Sequence, residues 1–361
     1  RSVDNINHLE GAIWETDTPW PQVNINSETL TIAAATSGPT AAAVYSDTGA
    51  IVNLGNDGIN GKIKQLIFDK NAGANMNLYS SSYIYKEENT GIYDRYSATI
   101  PTVNYNPERL HQSQINVYAE YAEFNANTNA INAHNKALIN VKADDTVINS
   151  NYGNVATVAA SAGATVTIEG NDLAITNKNT GYLNNATVVD KKDAKVAIGS
   201  GGLLNPSRAD LVEEYGATEV NAGDIVIKAT NNLNINGNIV IKANPDAAAG
   251  NSISINKGND TALVNITGDI YTDKGNEVYL SLGDGSAASQ NGNAAGRQAG
   301  RSTLTGAILD KASTATDFSF SDTSFSEKGT NLKMKDATWN VTANSEVAKV
   351  EMAGNSIIDL T

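Results

Sequence analysis

Two short motifs contain side chains that could carry out catalysis. Asp144 and Asp145 are adjacent, and two carboxylates held together can act as the acid and the base in glycoside cleavage. Gly283–Ser286 places a serine two residues after an aspartate, but none of the three histidines lies in a motif that would supply the base for a serine nucleophile. We therefore expect a solvated turn at the two aspartates, a flexible surface loop over 283–301, and no catalytic residue at either place.

A third motif, Asn53–Gly61, combines side-chain oxygens with glycines and could wrap a calcium ion. It lacks the downstream glutamate and the regular aspartate spacing of a calcium-binding loop. A turn between two strands is therefore the preferred interpretation, and calcium binding near Asn56–Gly61 stays an open alternative. We predict no metal-binding residue and no cofactor.

The segment from residue 75 to residue 124 differs from the rest because it contains eight of the fourteen tyrosines. Tyrosine suits binding surfaces, since it offers a large rigid contact area and a hydroxyl group at low entropic cost. With the nearby cations these rings could stack on sugar rings, or they could cover the side of the fold or fill a local core. The predicted binding residues are Tyr79, Tyr83, Tyr85, Lys86, Tyr93, Arg95, Tyr96 and Tyr105.

Charge and composition exclude several classes of function. The 39 acidic residues exceed the 25 basic ones by 14, and such a surface repels nucleic-acid phosphates and anionic lipid headgroups. The absence of cysteine excludes disulfides and thiol catalysis, and three histidines make a histidine-built metal site very hard to assemble. No run approaches the roughly 18 apolar residues of a membrane-spanning helix. We expect no nucleic-acid partner, no direct membrane insertion, and an export signal only outside this sequence.

The elements that would position these residues are short strands. From about residue 137, four to six residues alternate apolar with polar side chains before Asn, Gly or Asp interrupts the pattern. A period of two with β-branched residues predicts strands that bury one face, and only 207–215 suggests a short helix. The predicted strands lie at residues 137–141, 146–148, 155–158, 165–168, 195–198, 224–227, 233–235, 252–255, 264–266, 278–280 and 357–360.

A longer repeat lies over the strands, in which an alternating run ends in a glycine followed two places later by isoleucine. The glycine fits a corner that needs positive φ or close backbone approach. Recurrence at such intervals predicts stacked coils, because a single coil buries too little apolar surface to fold alone. The copies are 233–239, 264–270 and 302–308, with Gly237, Gly268 and Gly306 at the corners.

The pattern predicts an all-β fold, a right-handed parallel β-helix (a solenoid), with a loop-rich and tyrosine-rich insertion in its N-terminal third. An antiparallel sandwich is the alternative, but it needs two-residue Asn-Gly hairpin turns, which are scarce here. The expected organisation is an N-terminal cap region over 1–30 and a β-helix over 31–361. Residues 75–124 are expected to form an insertion or subdomain on the side of the helix.

The C-terminal part of the chain is similar to a known family. Between Leu332 and Val350, the residues Leu, Met, Ala, Trp, Val-Thr, Ser and Val follow the order and spacing L-x-M-x-x-A-x-W-x-V-T-x-x-S-x-V-x-x-V. This phrase resembles the end of the β-helix in passenger domains of Gram-negative autotransporters (type V secretion), of the pertactin-like adhesin type. Residues 302–308 resemble another phrase of these passengers, and the resemblance is clearest over 220–361.

The resemblance implies a non-enzymatic cell-surface adhesin, presented on the outer side of the bacterial outer membrane or secreted, with a host or bacterial surface protein or glycan as its partner. It also implies export through a C-terminal β-barrel outside this sequence. Two alternatives stay open: a self-associating aggregation or biofilm protein, and a polysaccharide-degrading enzyme on the same scaffold. Pectin-cleaving β-helix enzymes carry adjacent aspartates, but they also need Gly-His-Gly and Arg-Ile-Lys segments, and this sequence has neither.

Overall fold

A computed structural model shows a chain that is nearly all β. The strands follow the alternation of the sequence: in Gln114–Ala126 the buried residues Ile115 and Val117 alternate with half-buried polar ones. The structure describes residues 22–33, 42–47, 49–58, 60–69, 76–81, 112–134, 136–152, 156–161, 163–181, 195–201, 222–242, 251–272, 275–290, 300–310 and 328–360.

Within these ranges, sixteen strands form one sheet, sheet A, and eight form another, sheet B. Sheet A contains β1 (Gln22–Ile25), β2 (Thr29–Ile32), β4 (Ile51–Leu54), β5 (Ile63–Phe68), β7 (Gln114–Ala126), β9 (Leu138–Tyr152), β11 (Thr165–Gly181), β13 (Asp224–Asn236), β15 (Ser252–Ile255), β16 (Leu263–Thr267), β18 (Glu277–Leu282), β19 (Thr303–Thr305), β21 (Gly329–Lys335), β22 (Thr338–Asn340), β23 (Lys349–Ala353) and β24 (Ile357–Asp359). Sheet B contains β3 (Ala42–Asp47), β6 (Met76–Ser81), β8 (Ile131–His134), β10 (Val158–Ala160), β12 (Val196–Gly201), β14 (Asn238–Lys242), β17 (Ile270–Thr272) and β20 (Ile308–Asp310).

All pairings between these strands are parallel. The chain alternates between the sheets: β7, β9, β11 and β13 are neighbours in sheet A, while the strands between them in sequence, β8, β10 and β12, are neighbours in sheet B. The antiparallel sandwich is therefore wrong for the described strands. Long parallel sheets are compatible with stacked coils, and each strand predicted from residue 137 onward overlaps an observed strand, although the range 155–158 shares only Val158 with β10.

The inner faces of the two sheets share one apolar core. Its side chains stack in columns from strand to strand; Ile225, Ile253 and Val278, for example, are all fully buried and paired in register. Burying each such aliphatic side chain stabilises the fold by about 1.5–3 kcal/mol. The rings of Phe68 and Phe124 stack in the same core with their centroids 5.0 Å apart.

The repeated glycines lie on top of one another at a corner between the sheets. Gly237 and Gly268 have φ of 133° and 148°, a backbone conformation that side chains rarely adopt. A Cβ atom at Gly268 would collide with the Gly237 carbonyl oxygen, and one at Gly306 would collide with the Gly268 carbonyl oxygen. The predicted corner is therefore confirmed, and the isoleucine two places after each glycine is fully buried in sheet B.

The tyrosine-rich segment has both of its ends in the sheets, since 76–81 is β6 and 114–126 is β7. Residues 82–111 lie outside the described residues, as do 1–21 of the expected cap and the predicted helix over 207–215. The prediction of a flexible surface loop over 283–301 is wrong for its first part. There Gly283 is buried, and a short helix, α1 (Ser286–Gln290), follows it. Among the described residues, no helix is long and apolar enough to cross a membrane.

Candidate functional site

Tyr79, one of the predicted binding residues, lies on β6 and faces outward from sheet B. Leu78 and Ser80 on either side are fully buried, whereas Tyr79 is half-buried. In the register of β3 and β6 it lies beside Tyr45. The two rings stack with their centroids 5.3 Å apart and their planes at 8°. They form an aromatic pair across β6 and β3, the last two strands in the order of sheet B.

The structure does not describe the other seven predicted binding residues. They are Tyr83, Tyr85, Lys86, Tyr93, Arg95, Tyr96 and Tyr105, and all lie in 82–111, outside the described residues. The sequence reasoning missed Tyr45, because its pairing with Tyr79 depends on which strands become neighbours.

The outward column that starts at the tyrosine pair becomes apolar as it crosses sheet B. Asn132, next to Tyr79, is 8 % exposed; its Nδ2 lies 3.8 Å from the Met76 Sδ, and its Oδ1 has no hydrogen-bond partner. Beyond it, a second small apolar cluster is buried on the outer face, and Tyr271 packs against it. The members of the cluster are Ala156, Ala159, Val196 and Val240.

The outer face of sheet A carries a ladder of asparagine amides. The Asn53 Nδ2 donates to the Asn24 Oδ1 over 2.7 Å, and the Asn116 Nδ2 donates to the Asn53 Oδ1 over 2.8 Å. The Asn140 Nδ2 continues the series to the Asn116 Oδ1 over 2.9 Å. Each of these residues stands between two aliphatic residues in sequence, and in-register pairing stacks the amides across four strands. This aliphatic-Asn-aliphatic pattern is the sequence signal that marks the asparagines as outward-facing, although it does not tell which of them become partners.

A second ladder of amides and hydroxyls lies on the outer face of the later strands of sheet A. The Asn265 Nδ2 donates to the Asn234 Oδ1 over 3.3 Å, and the Thr303 Oγ1 donates to the Asn265 Oδ1 over 3.0 Å. One column further along the strands, the Asn340 Nδ2 donates to the Thr305 Oγ1 over 3.1 Å. Because β-strand side chains alternate, these groups share one outward face, which is regular and polar.

The adjacent aspartates have different surroundings. The Asp144 carboxylate pairs with the Lys62 Nζ at 2.6 Å, while Asp145 is paired in register with Asp172 on the neighbouring strand. Partial burial, then the negative charges of Asp172 and Asp144, raise the pKa of Asp145. Asn232, on the far side, donates from its Nδ2 to the Asp172 Oδ1. The turn predicted here is wrong, because both aspartates lie within β9.

Asp284, in the motif first considered for serine chemistry, is instead a structural anchor. Its carboxylate pairs with the Lys335 Nζ at 2.8 Å and accepts a hydrogen bond from the Ser286 backbone N–H over 2.9 Å. Burial alone would raise the pKa of Asp284, but the hydrogen bonds from Lys335 and Ser286 outweigh it and lower the pKa to about 2. This carboxylate connects the start of α1 to β21.

The oxygen-rich motif at 53–61 forms a hydrogen-bonded turn between β4 and β5. The Asn56 N–H donates to the Gly61 carbonyl over 2.8 Å, and the Asn56 Oδ1 accepts from the Gly58 N–H over 3.0 Å. Asp57 pairs with Lys142 at 3.3 Å. These oxygens therefore have protein partners, and the described part of the chain contains no group of three or more His, Cys, Asp or Glu residues placed to hold a metal ion.

Comparison with known proteins identifies no relative: no family model, no curated protein and no solved structure matches the chain.

Proposed function

We propose that this chain is a non-enzymatic cell-surface adhesin, the passenger domain of an autotransporter, folded as a right-handed parallel β-helix. Stacked coils present long outer faces, and one of these faces binds a surface protein or glycan of a host or bacterial cell. The resemblance of the C-terminal phrase to autotransporter passengers supports the export route, and the parallel in-register strands support the solenoid.

The observation that carries the proposal is the outward stack of Tyr45 and Tyr79. Two parallel rings 5.3 Å apart hold each other in place, so little conformational freedom is lost when a partner contacts them. In sequence, β6 ends at Ser81 and leads directly into 82–111, which contains the remaining predicted binding residues. We place the binding surface at the tyrosine end of sheet B.

The test is the adhesion of beads coated with the full chain to epithelial and bacterial cells, together with a glycan array. We expect binding by the parent chain and loss of most of it in the double variant Tyr45→Ala/Tyr79→Ala. Tyr271→Ala is the matched control, since Tyr271 lies in the same outward column at the other end of sheet B. Replacing 82–111 by a short Gly-Ser linker, with β6 and β7 kept, tests the segment itself. No binding by the parent chain, or equal binding by all variants, would contradict the proposal.

Turnover of a polysaccharide is the outcome that would favour an enzyme. The residues to test are Asp144 and Asp145, because they are the adjacent carboxylates that could act as acid and base. We expect no turnover by the parent chain; turnover that Asp144→Ala or Asp145→Ala abolishes would replace the adhesin proposal by the enzymatic one.

Self-association is a second candidate function, favoured by the ladder through Asn234, Asn265 and Thr303. A regular polar face can pair with the same face of another copy, since each amide and hydroxyl keeps further hydrogen-bonding capacity. Sedimentation of the full chain at rising concentration should then show dimers or larger species. Thr303→Lys/Thr305→Lys should abolish them through like-charge repulsion, while Ser254→Lys, an outward position elsewhere on sheet A, should not. A monomer at all concentrations would rule this candidate out.

A further inference from the structure

Asp145 and Asp172 are a like-charged pair in sheet A that lies close to two pairs of opposite charge. On the same strands Lys142 pairs with Asp57 at 3.3 Å, and Lys228 pairs with Glu169 at 2.8 Å. Asp145 faces Asp172 directly in the register of β9 and β11, and neither carboxylate has a cation within ion-pair distance among the described residues. Like charges directly opposite each other destabilise a sheet.

The backbone prevents this pair from relaxing by moving the strands apart. Both side chains point outward, because the residues that follow them, Thr146 and Leu173, are each 2 % exposed and point into the core. Gly170, two residues before Asp172, lies so close to β9 that a Cβ atom there would collide with the Ala143 carbonyl oxygen. The two carboxylates are therefore held at the spacing of neighbouring strands, about 4.8 Å.

The Asp172 carboxylate already has a hydrogen-bond donor on the side away from Asp145. Asn232 donates to Asp172 from its far side, so Asp172 already accepts one hydrogen bond, and Asp145 is the neighbour that could donate a second one. The other charged or titratable side chains on the surrounding described strands and turns are Lys62, Lys64, Glu120, Tyr121, Glu123, Asp144, Glu169 and Lys228.

We propose that Asp145 and Asp172 form a proton-operated contact between β9 and β11, which tightens this part of sheet A in acid and weakens it at neutral pH. When Asp145 is protonated it can donate to Asp172, and the charge repulsion ends. The raised pKa of Asp145 agrees with this geometry. Since the folded chain binds the proton more tightly than the unfolded chain, the contribution of this contact is complete at low pH. It is lost as the pH rises through the pKa of Asp145 in the folded chain.

The test compares urea unfolding of the full chain and its variants between pH 3 and pH 8. Asp145→Asn removes the repulsion without changing shape, so we expect a higher urea midpoint than the parent at pH 7 and no difference at pH 3. Asp144→Asn is the matched control: it removes the partner of Lys62, so its midpoint at pH 7 should be lower than that of the parent. Asp145 is exposed, so 1 M NaCl should reduce the gain of Asp145→Asn by screening the repulsion.

Two further measurements keep the proposal falsifiable. Asp172→Asn in the Asp145→Asn background should give no additional gain, because the repulsion has already been removed. Hydrogen exchange of β9 and β11, corrected for intrinsic rates, should be slower in the parent at pH 4 than at pH 7. A midpoint for Asp145→Asn at or below that of the parent at pH 7, or a gain that does not change with pH, would overturn the proposal.

Discussion

Substitution of Gly268 by alanine tests the stacked corner between the two sheets. At this position φ is 148°, and a Cβ atom would meet the backbone of Gly237 and Asn238 rather than a movable side chain. The unfavourable backbone conformation costs about 1–3 kcal/mol, and the overpacking costs about 1–3 kcal/mol more. We therefore expect Gly268→Ala to lower the free energy of unfolding by about 2–6 kcal/mol.

Gly258→Ala is the control for this prediction. Gly258 also has positive φ, 83°, but an added Cβ atom would meet no heavy atom within 4 Å. Only the backbone strain remains, so the expected loss is about 1–2 kcal/mol. Urea unfolding followed by far-ultraviolet circular dichroism measures both variants. Equal losses of stability in the two variants would refute the inference that the backbone at Gly237 leaves no room for a Cβ atom at Gly268.

Three other substitutions test single contacts in the same unfolding assay. Asp284→Asn should lower the stability by about 1–2 kcal/mol at neutral pH, because the pKa of Asp284 is lowered to about 2. This loss of stability should disappear as the pH falls from about 4 to 2. A loss that stays constant with pH would contradict the prediction. Trp339→Phe removes the donor to the Gly306 carbonyl, 3.0 Å away, and should lower stability by about 1–2 kcal/mol; no loss would show that water replaces the donor. Asn116→Ala breaks two hydrogen bonds of the asparagine ladder, and Asn24→Ala breaks one. Asn116→Ala should therefore lose more stability than Asn24→Ala, by about 1 kcal/mol. A larger loss for Asn24→Ala would contradict a continuous ladder.

Much of the strand pattern could be predicted from the sequence, because burial and alternation are local properties. In Ser252–Ile255 the two isoleucines are buried and the two serines are half-buried, as a period of two requires. The corner glycines could be predicted for a similar reason, since their place after an alternating run marks where the chain must turn.

The contacts across strands could not be predicted, because they depend on register between coils of unequal length. Ladder partners Asn53 and Asn116 are 63 residues apart, whereas Asn116 and Asn140 are 24 apart. No fixed period links such positions. The same limit applies to Asp145, which was interpreted with its sequence neighbour Asp144 although its main neighbour in the fold is Asp172.

The most direct test of the stacked outer faces uses the absence of cysteine from the native sequence. Asn116 and Asn140 are partners in register, and neighbouring strands lie about 4.8 Å apart, within the range that a disulfide spans. Asn116→Cys/Asn140→Cys should therefore form an intramolecular disulfide under mild oxidation while circular dichroism stays unchanged. Asn116→Cys/Thr167→Cys, in the same column but one strand further away, should stay reduced. Failure of the first pair to cross-link, or equal cross-linking of both pairs, would contradict the account.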